Sequence, residues 1–248
     1  MFFKQISYAP QVFFALVITG VIYFFLAGCN EQLDWSVLWN YREIFLKGWL
    51  VTIALSFVCL IFSTLIGLFS ALISQSRLPF FTSFSRMYVE IIRGTPLLVQ
   101  ILFFYYVVAH KFGIENRYVA GIMILSIFNG AYISEMIRGG IEYVSLTQIE
   151  SAKAIGLSKF QAYRFVVFPQ AIRQIIPALA GQFTSIVKDS SLLSIIGINE
   201  LTNSAQQINS VTFSTLEVYL PLGIAYLIIT LPILFLSKRL EKRFHYES

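Results

Sequence analysis

Apolar residues run through this chain in long blocks separated by short polar segments. Six blocks stand out, at approximately 12–28, 47–74, 87–109, 118–138, 174–196 and 217–237. Each is close to or beyond the roughly 20 apolar residues that a helix needs to cross a bilayer core. The pattern therefore predicts an all-α integral membrane protein with about six transmembrane helices. The second block is long enough to run tilted. The fifth differs in kind, holding Pro177, Gln182, Thr184, Ser185, Lys188 and Asp189 within an otherwise apolar run. No internal repeat, low-complexity tract or Gly/Ser linker interrupts the chain, so the blocks read as one domain.

Composition agrees with this reading. The 248 residues are 57% hydrophobic and only 12% charged, against about 25% charge in a soluble domain. A net charge of +5 is also found in proteins that bind nucleic acid, but here the charges sit in short loops between apolar runs, which points to a lipid bilayer and to no nucleic acid. Their distribution is lopsided. One set of connecting segments holds Lys4, Arg77, Arg86, Arg93, Arg138, Lys153, Lys159, Arg164, Arg173, Lys238, Arg239, Lys242 and Arg243. The opposite set holds Arg42, Lys47, Lys111 and Arg117, and Lys188 falls inside a block. Basic loops stay inside. Both termini and the loop 139–173 are thus expected to be cytoplasmic, which fits six spans.

The first block carries a second reading. Leu26-Ala27-Gly28-Cys29 matches a lipoprotein cleavage signal, which also needs a basic start and an apolar run. Lys4 alone supplies the base and aromatics dominate the run, so an uncleaved helix is the favoured alternative to a signal ending at Cys29. Cys29 and Cys59 give neither zinc spacing nor a disulfide framework. His110 and His245 fall at span or chain ends and read as surface residues.

The most informative segment is the loop between the fourth and fifth blocks. Thr147 followed by Glu150 fits a capping box, in which a hydroxyl and a carboxylate satisfy each other's backbone N–H groups. A short helix over 148–155 follows, ended by Gly156, which tolerates the left-handed conformation. Ser158 and Gln161 repeat the device and start a second short helix over about 159–167, which Pro169 limits. A rigid pair of short helices at roughly a right angle, with small Ser151, Ala152 and Ala154 on one stretch, makes a docking knob that another protein's groove can approach closely.

This loop resembles the EAA loop of binding-protein-dependent ABC importer permeases. Glu150-Ser151-Ala152, Gly156 and Pro169 match that pattern, with Ser in place of the first Ala and Thr147 where the family often has Gly. Further segments are similar to the polar amino-acid (histidine/glutamine/arginine-type) subgroup: Arg93-Gly94-Thr95-Pro96-Leu97-Leu98-Val99-Gln100, Glu135-Met136-Ile137-Arg138-Gly139-Gly140-Ile141, Pro169 to Pro177, and Lys188 to Gly197. Their order and spacing extend the resemblance over most of 47–240.

The resemblance implies a five-helix permease core at 47–240, with a coupling loop at about 142–169. A helix and external segment at 1–46 would precede it, and a cytoplasmic tail at 241–248 would follow. It also implies a second permease subunit, the same or related; a pair of ABC ATPase subunits that bind ATP and Mg; and an extracytoplasmic solute-binding protein that delivers a polar amino acid to the cytoplasmic (inner) membrane. On that basis Glu150, Ser151, Ala152 and Gly156 are the expected ATPase contacts, with Lys153, Leu157 and Ser158 beside them. The chain itself lacks Gly-x-x-x-x-Gly-Lys-Ser/Thr, Gly-x-Ser-x-Gly and His-Glu-x-x-His, so neither cofactor nor catalytic role is expected of it. An ion-coupled transporter would show matching halves, which are missing here. A non-transporting scaffold or channel would leave the doubly capped loop without a role.

Polar groups inside a membrane are costly and tend to face a bundle interior or a wet cavity. Lys188 and Asp189 lead such candidates for the translocation path. As neighbours in sequence they do not face each other on a helix, and an ion pair, subunit contact or gating role is the alternative to substrate contact. Asn129, Ser134, Gln182 and Ser185 follow. Thr95-Pro96, helped by Gly94, is expected to unwind the start of the third span. Glu135 and Arg138, three apart near a helix end, are expected to pair locally.

Overall fold

The computed structural model describes residues 19–20, 33–76 and 78–245. The chain divides into two units, 1–35 and 36–248, and the second is the subject below. The expected first span, 12–28, lies outside the described residues except for Thr19 and Gly20. So do the Leu26–Cys29 signal and Arg77.

Within the second unit a short helix α1 (Ser36–Asn40) leads into α2 (Arg42–Ser74), α3 (Pro79–Gly94) and α4 (Leu97–Phe103). The last runs on through a π-helical segment, Phe104–Ala109. Then come α5 (Arg117–Glu142), α6 (Leu146–Ala154) and α7 (Lys159–Ala162). A second π segment (Tyr163–Val167) leads into α8 (Phe168–Asp189), which ends in a 3₁₀ stretch (Ser190–Ile196). Two more helices, α9 (Leu201–Thr212) and α10 (Thr215–His245), complete the chain. Helices α2, α5 and α10 are each long and apolar enough to span a membrane.

The third apolar stretch does not form one straight span. Helices α3 and α4 meet at 106°, and the break falls at Thr95–Pro96. The residue before a proline is pushed out of the helical region, and Thr95 is extended, at φ −120° and ψ 145°. Pro96 has no N–H to continue the ladder. The carbonyls this frees still find donors. Thr95 Oγ1 donates to the Ile91 carbonyl at 2.9 Å, and Gln100 Nε2 to those of Ile92 at 2.7 Å and Thr95 at 3.2 Å. Such local satisfaction is what lets a helix break persist where water is scarce. The fifth stretch also differs from expectation. Its helix begins at Phe168 and ends at Asp189, and with Gln182, Lys188 and Asp189 aboard it is not among the helices apolar enough to span by composition.

Helix α5 is the most enclosed element, and it packs most extensively on α2. Small residues set the approach. A Cβ on Gly67 would lie 2.7 Å from Ile133 Cγ2, and one on Gly130 would lie 2.8 Å from Ile66 Cγ2. Close packing through small residues is a main source of helix association in lipid, where apolar burial alone gives little. A Gly67→Val variant should therefore cost about 1–3 kcal/mol, read as a lower thermal midpoint of the purified chain in detergent. Gly94→Ala is the matched control, because nothing lies within 4 Å of its Cβ position, and it should leave the midpoint within a degree or two.

The main core joins Leu55 and Cys59 of α2, Ile101 of α4, Leu125 and Phe128 of α5, Ile186 of α8 and Leu193 after it. Outside that core, Leu50, Phe57, Phe69, Leu227, Phe235 and many similar side chains are exposed. An apolar surface of this extent suits acyl chains rather than water.

Candidate functional site

The segment between α5 and α8 is built by capping. Helix α6 starts at Ser145, whose Oγ accepts from the Gln148 N–H at 3.4 Å. The expected cap, Thr147, lies inside the first turn instead, so the Thr147–Glu150 box does not form. At the other end the Gly156 N–H donates to the Lys153 carbonyl (2.9 Å) and the Leu157 N–H to that of Ala152 (3.1 Å). Gly156 itself sits at φ +86°. These two bonds define a Schellman C-cap.

The Ser158–Gln161 capping box forms as expected, with bonds of 2.8 and 3.3 Å. The helix it starts is not a second short one. The chain stays helical from Lys159 through the π segment into α8, and Pro169 falls in the first turn of α8 rather than ending anything. A proline inside a helix clashes with the carbonyl four residues back, here Phe165. A π turn is the wider form of helix, and it occupies Tyr163–Val167, just where that clash would fall. Gln170 Nε2 then donates to Gln148 Oε1 at 2.9 Å, tying α6 to the base of α8.

Of the residues expected at this surface, Glu150, Ser151, Lys153, Gly156 and Ser158 are exposed, Leu157 is half-buried and Ala152 is buried. Ala152 thus packs inward against the protein. The surface also carries bulky side chains that small-residue reasoning passed over: Leu146, Ile155 and Phe160 are 76%, 78% and 77% exposed. The available signal was their apolar character in a segment too polar and too short to span.

A second group of polar residues converges inside the bundle. Asn129 on α5 is fully buried, and its Oδ1 accepts from Gln182 Nε2 at 2.6 Å. Its Nδ2 donates to the Leu125 carbonyl at 3.1 Å. Ser185 and Asp189 lie within about 60° of Gln182 around α8. Lys188, about 100° from Asp189, is exposed and forms no ion pair among the described residues. Thr95 and Pro96 remain at the α3–α4 break, with no bond to this cluster among the described residues, and Ser134 instead bonds Ser70 Oγ at 3.0 Å.

Two further polar groups complete the picture. Glu135 and Arg138 pair at 2.8 Å as expected, and the network extends to Glu142 at 2.8 Å and Arg93 at 3.3 Å. Glu200, in the connection between the fifth and sixth apolar stretches, is fully buried. It caps α9 by accepting from the N–H groups of Thr202 and Asn203 and from the Tyr226 hydroxyl, at 2.9, 2.7 and 2.9 Å. Burial pushes its carboxyl up to about 7, against the opposing pull of those donors.

Residues 63–246 match the family model described as "Binding-protein-dependent transport system inner membrane component". The chain is 33% identical over 214 residues to the "Glutamine transport system permease protein GlnP" of Escherichia coli (strain K12), covering 86% of this chain and 98% of that one. It is 41% identical over 189 residues to the "Nopaline transport system permease protein NocM" of Agrobacterium fabrum, covering 72% and 78%. Among solved structures it is similar to the "Crystal structure of an amino acid ABC transporter with histidines", at TM-score 0.81 and 36% identity, covering 86% of this chain and all of that one. A structure of the MetNI methionine ABC transporter shares the fold at TM-score 0.69 and 18% identity, covering 82% and 97%.

Proposed function

The chain belongs to the family of inner membrane components of binding-protein-dependent transport systems, as a permease subunit of an ABC importer, and we propose that it carries a polar amino acid into the cell on energy supplied by a separate ATPase. The observation that carries the coupling half of this reading is the tie between α6 and α8. A short helix fixed at both ends by caps, and bonded through Gln148–Gln170 to a helix bearing Gln182 and Asp189, is built to move as one piece with that helix.

The basic end of the bundle, which includes α6, faces the cytoplasm in this reading. There the exposed Glu150, Ser151, Lys153, Gly156 and Ser158, with Leu146, Ile155 and Phe160, meet a groove on the ATPase. ATP and Mg belong to that partner. Closure of the ATPase pair pushes α6, and α8 tilts with it. Because ATP binding can shift only an equilibrium whose two states differ by a few kcal/mol, the inward- and outward-open arrangements must lie that close in energy.

The amino-acid cargo is inferred from the named relatives. Asn129, Gln182, Ser185 and Asp189 form its polar station in the bundle. Lys188 points out of the single subunit, where an ammonium facing lipid would be costly. A second permease subunit, the same or related, covers that face and shares a wet path with it. A solute-binding protein delivers the cargo at the opposite end.

The test is reconstitution of the chain with its ATPase and partner permease in vesicles, with labelled amino acids and the binding protein outside. Uptake should require lumenal ATP. Uptake driven by an ion gradient without ATP would overturn the proposal.

A further inference from the structure

A cavity of about 880 Å³ opens beside α6, between the end of α2, α3 and the end of α5. It is separate from the polar station. The station's Asn129 and the cavity's Ser134 are five residues apart on α5, hence about 140° around the helix. The cavity therefore lies on a different face of α5.

Half of its charged residues come from α3 and half from α5, and the surface of α3 has three sectors. Ser85, Val89 and Ile92 are buried against the core. Phe80, Phe84, Met87 and Ile91 are exposed on one flank, suited to acyl chains. Arg86, Glu90 and Arg93 occupy the other flank and line the cavity. Arg93 is engaged by Glu135, and Arg138 by Glu135 and Glu142. Arg86 and Glu90 form no ion pair among the described residues. They stand one helical turn apart, about 5–6 Å between Cβ atoms. The cavity thus presents one unpaired cation next to one unpaired anion, with the other charges already matched.

We propose that this cavity binds a free amino-acid zwitterion from the cytoplasm, its carboxylate on Arg86 and its ammonium on Glu90. A single-charge ligand would satisfy one of the two and leave the other facing it. The coupling segment completes the wall through Ser145, Ile149 and Tyr163, so a bound zwitterion bridges α3 to the segment that must move. A ligand that fits one arrangement of that segment better than the other favours that arrangement and slows the cycle. The site is therefore a product sensor as well as a binding site. The sensing half rests on the permease reading above, whereas the binding half does not.

Two measurements test it. In the first, labelled glutamine binds the detergent-purified complex in the absence of ATP and binding protein. The double variant R86Q/E90Q should lose at least about fivefold in affinity at one class of sites, while a glutamine amide that lacks the free carboxylate should not compete there. Equal binding to wild type and variant, or full competition by the amide, overturns the proposal. In the second, vesicles preloaded with glutamine should show a several-fold lower initial uptake than empty ones, and the variant should show a loaded-to-empty ratio near one. Binding lost in the variant with no ATP-driven uptake in any vesicle sinks the permease reading and leaves the site standing. If instead exchange of phosphatidylethanolamine for phosphatidylcholine, and not glutamine, changes the rate through Arg86 and Glu90, the occupant is a lipid headgroup and the proposal falls.

Discussion

A Gly156→Val variant of the reconstituted importer is expected to take up its cargo at least about tenfold more slowly than wild type, while its ATPase continues to hydrolyse ATP. The reason is confined to the backbone. Gly156 holds φ at +86° with nothing within 4 Å of where a Cβ would be, so the variant meets no steric wall from neighbours. It meets only the left-handed conformation, which costs an L-residue roughly 1–2 kcal/mol and a β-branched one more. To relieve that cost the chain must surrender the bonds from the Gly156 and Leu157 N–H groups to the Lys153 and Ala152 carbonyls. The end of α6 then frays, and a frayed segment absorbs a push instead of passing it to α8. About 1.4 kcal/mol corresponds to a factor of ten, which sets the expected scale. Gly156→Asn is the control, since Asn also closes such caps, and it should transport within about threefold of wild type. Normal coupled uptake in the Val variant would mean that α6 does not transmit the stroke.

The same segment shows what local sequence could and could not determine. Ser145 with Gln148 and Thr147 with Glu150 both fit the capping-box spacing, so the pattern was degenerate by two residues. The choice fell to packing. Val144, just before Ser145, is buried and Ile149 is half-buried, and these are the positions of a hydrophobic staple for a helix that starts at Leu146. Gly156 and the Ser158–Gln161 box were legible because each depends only on backbone chemistry within a few residues. Pro169 misled for the converse reason. Its clash is local, but the remedy, a π turn over Tyr163–Val167, draws on the continuous helix that follows.

The spans divide along the same line. Apolar length marked α2, α5 and α10, and the Thr95–Pro96 break was visible as a proline effect. Its 106° bend was not, because that angle is set by where α3 packs, with Ser85 Oγ bonded to Ser70 and the Tyr88 hydroxyl donating to the Ile127 carbonyl. Asn129, Gln182 and Asp189 could each be singled out as polar groups in apolar runs. That Asn129 meets Gln182 across 53 residues of sequence is a fact of helix packing. Glu200 was missed altogether, since an acidic residue between two spans reads as exposed until α9 folds back over it.

Asn129 offers the second large effect and a way to separate structure from transport. An Asn129→Leu substitution leaves Gln182 without its 2.6 Å acceptor. A buried polar group stripped of its partner costs about 1–3 kcal/mol, so the thermal midpoint in detergent should fall, and uptake should fall by at least about tenfold. Stability loss alone could explain both. The double variant N129L/Q182L removes that ambiguity, because replacing both partners with apolar groups of similar shape can be nearly neutral for stability. Its midpoint should recover most of the way to wild type. Its uptake should not if, as proposed, a passing amino acid exchanges hydrogen bonds with this amide pair, because the bundle would then be sound but would lack it. If uptake recovers together with the midpoint, the pair is packing, and the path must run past Lys188 and Asp189 without it.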